Sequence, residues 1–315
     1  MINVWLVLNK VILFFALAIP GILFGKFNKI NDTAVDSITN ILVYIAMPFL
    51  VLSKLCEIES AMLHLKNLLF CLALPFGLTF IIWLITRFFF PENVNSNKFM
   101  SSRFCSIFSN CGFLGIPLAN AVFPNEPIIS VYISLFNVSS TICMLTFGVS
   151  IFKKDKKISF KEIIFKPVVV AAAIGLFVVF FNLNSKVGAV YEYSQFLASL
   201  TTPLSMMVLG YEMSKMKIKD ILLNKNVYLV SFIKLIISPF FAVMIVMLFG
   251  FLPDEKIVIA MFLASAVSTA ASAPSHAQNY GADAEFTALL TLGTTVLSII
   301  TLPLLSALLE VILIY

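Results

Sequence analysis

FSNCGFLGIPLANAVFP, residues 108–124, interrupts an otherwise apolar, membrane-spanning run with two glycines, two prolines and two asparagines. Such a composition makes a poor lipid-facing helix. In lipid, an unsatisfied backbone N–H or C=O costs several kcal/mol, so a broken helix is tolerated only where protein or a cavity surrounds it. The stretch therefore predicts a helix that breaks near the bilayer midplane. Breaks of this kind are typical of binding sites in membrane proteins.

The composition indicates a polytopic membrane protein. The 315 residues are 60% hydrophobic and 12% charged, with a mean hydropathy of +1.03, whereas a soluble domain is about 45–50% apolar and about 25% charged. The net charge of +5 comes from lysines between spans, so a nucleic-acid partner is not expected. The five cysteines form no CxxC pair or Cys/His cluster, and we expect neither a metal nor a cofactor.

Because about 20 apolar residues cross a bilayer as a helix, the chain is predicted to contain ten spans. Their limits are 3–25, 36–54, 66–90, 100–123, 127–152, 164–183, 193–213, 226–250, 256–279 and 285–313. Of the 21 lysines and arginines, fifteen lie in odd-numbered loops and four in even-numbered loops. The positive-inside rule then places odd loops in the cytoplasm and both termini outside. We expect a multi-pass protein of the inner (cell) membrane.

An internal repeat is expected from matching prolines. Pro48 in span 2 and Pro203 in span 7 are 155 residues apart, and Pro117 in span 4 and Pro274 in span 9 are 157 apart. An odd number of spans per half inverts the second half relative to the first. The prediction is an all-α membrane protein of two inverted five-helix repeats, residues 1–155 and 156–315, in which broken spans 4 and 9 cross.

Spans 4 and 9 carry the candidate site residues. We place the break of span 4 at Pro117, because proline frees a carbonyl and starts a new half-helix. The start of a half-helix suits an anion, and Asn110 adds a donor and an acceptor. Tight packing of small residues would also explain both segments. The predicted substrate-binding residues are Asn110, Gly112, Gly115 and Pro117 in span 4, and Ser268, Thr269, Ser272, Pro274 and Ser275 in span 9.

Three further side chains are candidates for a charge or support role. Lys234 lies about eight residues into span 8, where it could meet a substrate carboxylate, neutralise carbonyls at the breaks, or extend to the interface. Arg103 precedes Asn110 by two helical turns and could attract anions or anchor at headgroups. His276 could carry a proton or be an ordinary interfacial histidine. No Walker A, H-E-x-x-H or G-x-S-x-G motif is present, which argues against an enzyme.

The segment from Asn110 to Pro117 resembles the auxin efflux carrier family, which includes plant PIN carriers and bacterial permeases assigned to malate or malonate. Weaker similarities extend over the whole chain. They are Thr202-Pro203 with Leu209-Gly210, Lys234 with Pro239, Tyr280-Gly281-Ala282-Asp283, and Leu297 to Pro303.

The resemblance implies two inverted five-helix repeats, as in NhaA-type sodium/proton antiporters and bile-acid symporters. It also implies a scaffold of spans 1, 2, 6 and 7, and a transport domain of spans 3–5 and 8–10. Asn110 matches a substrate-contacting asparagine of the family. The family's proline in span 9 lies further upstream, where this chain has Ala266-Val267-Ser268, so the break is expected near Ser268–Ser272. The short loop between spans 5 and 6 indicates a bacterial-type permease.

We therefore expect a secondary transporter that moves a small organic anion, such as malate or an auxin-like acid, by elevator-type alternating access. A coupling proton or sodium ion and a homodimer are compatible with this reading. One alternative is a sodium-coupled symporter or cation/proton exchanger of the same fold, which would need a carboxylate at the breaks. Another is a membrane receptor or sensor, which would normally bring a soluble signalling domain.

Overall fold

The computed structural model describes residues 4–58, 64–91, 97–152, 160–183, 186–249 and 254–314. Within these ranges the chain is helical. The α-helices are α1 (Val4–Ala16), α2 (Ile19–Lys26), α3 (Asp32–Ile41), α4 (Met47–Glu57), α5 (Leu65–Phe89), α6 (Asn97–Ile107), α7 (Ile116–Val122), α8 (Pro127–Cys143), α9 (Val149–Phe152), α10 (Phe160–Ile164), α11 (Pro167–Phe180), α12 (Gly188–Ser199), α13 (Thr201–Lys215), α14 (Ile218–Leu223), α15 (Lys225–Phe232), α16 (Ser238–Leu248), α17 (Glu255–Ala266), α18 (Ala273–Asn279) and α19 (Ala284–Ile314).

Six helical stretches of the described chain are long and apolar enough to cross a membrane. They are Trp5–Lys26, Asp32–Glu57, Leu65–Phe89, Pro127–Phe152, Lys225–Leu248 and Ala284–Leu313, which correspond to predicted spans 1, 2, 3, 5, 8 and 10. Cys111–Val122 and Pro167–Phe180 are shorter apolar helices. The arrangement as ten spans in two inverted repeats stays a prediction. Its boundary, between residues 155 and 156, lies outside the described residues.

Three prolines inside the spans are accommodated by π-helical turns rather than by breaks, whereas Pro75 and Pro303 lie inside α5 and α19. Such turns cover Leu42–Ala46, Cys111–Gly115, Met144–Gly148 and Ile233–Ile237. Pro48, Pro117 and Pro239 each lie just after the start of the α-helix that follows one of these turns. Because a π turn widens the helix, the proline ring avoids the carbonyl with which it would otherwise clash.

The prediction that span 4 breaks at Pro117 is therefore wrong. The Ile116 N–H donates to the Cys111 carbonyl, which carries the helix through this region. The backbone leaves helical geometry earlier, between α6 and Asn110, whose φ and ψ are −82° and 43°. The prediction for span 9 is confirmed, since α17 ends at Ala266 and α18 begins at Ala273.

The helices form two packing groups. In one, α2 packs against α13, and α4 packs against α11 and α12. In the other, α5 and α17 pack against α8, α16 packs against α17, and α6, α15 and α18 pack against α19. Contacts of α1 with α19 and of α4 with α8 join the two groups.

Glycines permit backbone-to-backbone contact between α2 and α13. A Cβ atom at Gly210 would collide with the backbone carbonyl of Ala18, and one at Gly21 would collide with the backbone carbonyl of Met207. Without a hydrophobic driving force in lipid, small residues at such interfaces let helices approach and gain van der Waals contact. These two glycines therefore fix the distance between α2 and α13.

Replacing Gly210 with alanine should lower the apparent melting temperature of the purified protein in detergent. The new methyl group meets rigid backbone, and overpacking of this kind costs about 1–3 kcal/mol. Gly77→Ala is the matched control, because a Cβ there meets nothing within 4 Å and alanine favours a helix by about 0.5–1 kcal/mol. Equal melting temperatures for the two variants would contradict the proposed close contact.

Candidate functional site

The two interrupted spans are hydrogen-bonded to each other at their breaks. The Asn110 N–H donates to the Ser268 carbonyl at 2.8 Å, and the Ala270 N–H donates to the Phe108 carbonyl at 3.0 Å. Ser109 and Thr269 form an isolated antiparallel bridge between them. The two non-helical segments thus satisfy part of each other's backbone, as a break at membrane depth requires.

Thr269 anchors this crossing to its neighbours. Its hydroxyl donates to the Cys105 carbonyl at 2.7 Å, near the C-terminus of α6, where carbonyls have no partner within the helix. Its backbone N–H donates to the hydroxyl of Thr294 on α19 at 3.1 Å. Thr269 is fully buried. It therefore holds the backbone of both breaks in place.

Lys234 serves the other half-helix end. Its side chain is fully buried, and Nζ donates to the Ser265 carbonyl at 2.6 Å, one residue before α17 ends. A cation at a helix C-terminus offsets the partial negative charge of the last carbonyls. This hydrogen bond fits one of the roles predicted for Lys234, an interaction with carbonyls at a break, and that role stays a prediction.

A cavity of about 170 Å³ lies beside the crossing. Its lining combines residues of both breaks with residues of α8 and of the segment where α11 begins. The lining residues are Val43, Met47, Ser109, Asn110, Gly112, Phe113, Asn137, Ser140, Thr141, Met144, Leu145, Lys166, Pro167, Val168, Ala270, Ala271, Ser272 and His276. None of these is Asp or Glu, whereas Lys166 supplies a basic side chain.

Asn137 on α8 contacts the start of the second half of span 4. Its Oδ1 accepts a hydrogen bond from the Cys111 thiol at 3.3 Å. A Cβ at Gly112 would lie 3.1 Å from the same oxygen and would collide with Met47. The missing side chain of Gly112 therefore lets both Asn137 and Met47 reach this half-helix.

Four of the predicted site residues line the cavity: Asn110, Gly112, Ser272 and His276. The other eight, Lys234 among them, lie outside the lining. Gly115 and Pro117 are buried in the helix of span 4, Ser268 and Thr269 in the crossing itself. Pro274 and Ser275 lie in α18, and Arg103 is buried in α6.

Sequence reasoning missed the contributions of Met47, Asn137, Ser140, Thr141 and Lys166. Asn137 could have been found, because polar side chains inside a membrane span are functional candidates and span 5 carries several. The approach of Lys166 to the cavity depends on how α11 packs, which no local pattern reveals.

A helical, multi-pass membrane protein with a cavity where two broken helices meet, lined by apolar residues and several polar ones, has the organisation of a membrane transporter. A family profile described as membrane transport protein, which represents the auxin efflux carriers, matches residues 6–162 and 155–306. The chain belongs to this family, as its resemblance at Asn110–Pro117 predicts, and it is a transporter rather than an enzyme. An uncharacterized transporter of Methanocaldococcus jannaschii is 28% identical over 211 residues, covering 63% of this chain and 67% of that relative.

Lys234→Met should lower the apparent melting temperature, because the buried Ser265 carbonyl loses its donor at a cost of about 1–3 kcal/mol. Lys219→Met is the control, since Lys219 is exposed and exposed positions usually change stability by less than about 0.5 kcal/mol. An unchanged or higher melting temperature for Lys234→Met would show that burying the ammonium costs more than its hydrogen bond returns.

Proposed function

We propose that this protein is a secondary transporter of small organic anions, which bind in the cavity at the crossing of spans 4 and 9. The observation that carries this proposal is the charge of the lining, which among the described residues includes Lys166 and no carboxylate. The first turn of the half-helix Cys111–Val122 also contributes Gly112 and Phe113. The N–H groups that precede Leu114 have no helical carbonyl to bond to and attract negative charge, whereas the Leu114 N–H donates to the Asn110 carbonyl at 3.1 Å. Asn110 adds a neutral amide beside them.

The size of the cavity favours a small acid. At about 170 Å³, it is below the roughly 300–1,000 Å³ of sites for drug-sized ligands. A short carboxylate such as malate suits this volume better than an auxin-like acid with an aromatic ring system. Malate is therefore the first substrate to test.

Elevator-type alternating access is the proposed mechanism. The cavity lies between the two packing groups, with Met47 and Pro167 from one and Asn110, Asn137 and Ser272 from the other. This division supports a scaffold of spans 1, 2, 6 and 7 and a transport domain of spans 3–5 and 8–10, as inverted repeats would give. The anion would move with the second group, which carries both breaks.

The proposed orientation has both termini outside the inner (cell) membrane. It rests on the lysines and arginines of the odd-numbered loops. On this orientation Lys166 is at the cytoplasmic end of span 6, and the cavity is the inward-facing state of the site. A homodimer through the scaffold remains part of the proposal.

A cation exchanger or sodium-coupled symporter is the second candidate, and the lining argues against it. Hard cations prefer oxygen ligands, carboxylates above all. Among the described residues no group of three or more His, Cys, Asp and Glu side chains could hold a metal ion. A sensor function is not favoured by any observation at the site.

Asn110→Ala should reduce uptake of radiolabelled malate into proteoliposomes about 10- to 100-fold at subsaturating substrate. A hydrogen bond to a charged group contributes about 1.5–3 kcal/mol, and each 1.4 kcal/mol corresponds to a factor of about ten in affinity. Asn120→Ala provides the control, because Asn120 lies in the same span outside the cavity and accepts a hydrogen bond from Ser130 at 2.7 Å. Equal uptake by wild type and Asn110→Ala would remove Asn110 from the site.

Malate uptake should keep the same rate when sodium is replaced by potassium or choline on both sides of the proteoliposome membrane. The reason is the absence of acidic residues from the described lining. The rate is measured at equal ionic strength, so that screening does not differ between conditions. A rate that falls several-fold without sodium would favour the symporter.

A further inference from the structure

An amide in span 5, on a residue that lines the cavity, has a buried donor group with no partner among the described residues. Asn137 is only 7% exposed and lines the cavity. Its Nδ2 is buried without a hydrogen-bond partner among the described residues. Because buried polar groups are nearly always paired, and an unmade hydrogen bond is costly, such a donor indicates that a further group binds there.

The orientation of this amide is fixed by Cys111. The thiol donates to Oδ1 of Asn137 at 3.3 Å, so the oxygen is engaged and the NH₂ group is left for a bound molecule. Thr141 does not occupy it, since its hydroxyl donates to the backbone carbonyl of Asn137 at 2.8 Å and Nδ2 has no partner among the described residues. A carboxylate can only accept hydrogen bonds. The unpaired donor of Asn137 therefore matches an anion and not a cation.

The close approach of Asn137 to span 4 depends on Gly112. A Cβ at that position would lie 3.1 Å from Oδ1, tighter than an ordinary contact, and would displace the amide from the thiol. Asn110 lies two residues before Gly112 and also lines the cavity. Two amides, one from each of spans 4 and 5, thus border the first turn of the same half-helix.

We propose that Nδ2 of Asn137 donates a hydrogen bond to a carboxylate oxygen of the transported anion, and that the Cys111 thiol is a positioning group for this donor. The assignment rests on the proposed function and names a binding residue for it. Both Asn137 and Cys111 belong to the packing group that carries the breaks. The anion would keep this hydrogen bond while that group moves.

The test compares two pairs of variants by malate uptake in proteoliposomes, with KM and maximal rate determined separately. Asn137→Leu should raise KM about 10- to 100-fold through loss of a charge-assisted hydrogen bond. Asn137→Asp, which has nearly the same shape, should raise KM at least as much because two carboxylates repel. Cys111→Ala should raise KM several-fold, since the amide is then free to turn, and Cys111→Ser should restore it by supplying a new donor. Asn120→Asp is the matched control and should leave KM unchanged.

Folding is monitored by the melting temperature of each variant without ligand, and binding by the rise in melting temperature that malate produces. The proposal is overturned if folded Asn137→Asp retains the wild-type KM, or if Cys111→Ala and Cys111→Ser change KM equally. If Asn137→Leu does not fold, the Asn137→Asp and Cys111 variants decide the matter.

A wild type that neither transports nor is stabilised by any carboxylate overturns the proposed function, and this assignment with it. An altered KM confined to the Asn137 and Cys111→Ala variants supports both.

Discussion

The hydrogen bonds from Asn110 to Ser268 and from Ala270 to Phe108 are the constraint on which the rest of the site depends. Helices may be interrupted in hydrocarbon only if the freed backbone groups find partners. Each break supplies partners for the other, so neither could exist alone at this depth. The pairing also fixes where the four half-helices end. The ends of the helices in turn determine which backbone carbonyls need a hydrogen-bond donor from another part of the chain, and which backbone N–H groups lie beside the cavity.

The sequence was sufficient to predict which spans are broken but not where span 4 breaks. Glycine, proline and asparagine in span 4, and small hydroxyl residues in span 9, are local signals of poor lipid-facing helices. The position of the first break is set by pairing with Ser268 and Ala270, about 160 residues further along the chain. The break was predicted at Pro117 because proline usually interrupts a helix. Here a π turn makes room for the proline ring, and the helix continues.

The amino-acid composition of the two breaks does not show which residues line the cavity and which form hydrogen bonds that fix the backbone. Thr269 and Ser272 look alike in sequence, but Thr269 bonds to the Cys105 carbonyl while Ser272 lines the cavity. Burial and partners distinguish them, and both arise from tertiary packing. The same holds for Asn137, which comes from an unbroken span. Its relevance depends on the missing side chain of Gly112 and on the thiol of Cys111, neither of which suggests an amide partner by itself.

The C-terminal ends of the half-helices have hydrogen-bond partners within the protein, whereas the N-terminal end beside the cavity meets no negative charge among the described lining residues. This difference favours the proposal of a negatively charged substrate. Both C-terminal ends at the crossing are provided with donors from the chain, the Thr269 hydroxyl for α6 and the Lys234 ammonium for α17. The Ser265 carbonyl, which could otherwise help to coordinate a cation, already accepts a hydrogen bond from Nζ of Lys234. The first turn of the half-helix Cys111–Val122 meets no carboxylate in the described lining. Its partial positive charge therefore acts on the cavity together with Lys166 and the two amides, which is why we propose an anion as the substrate.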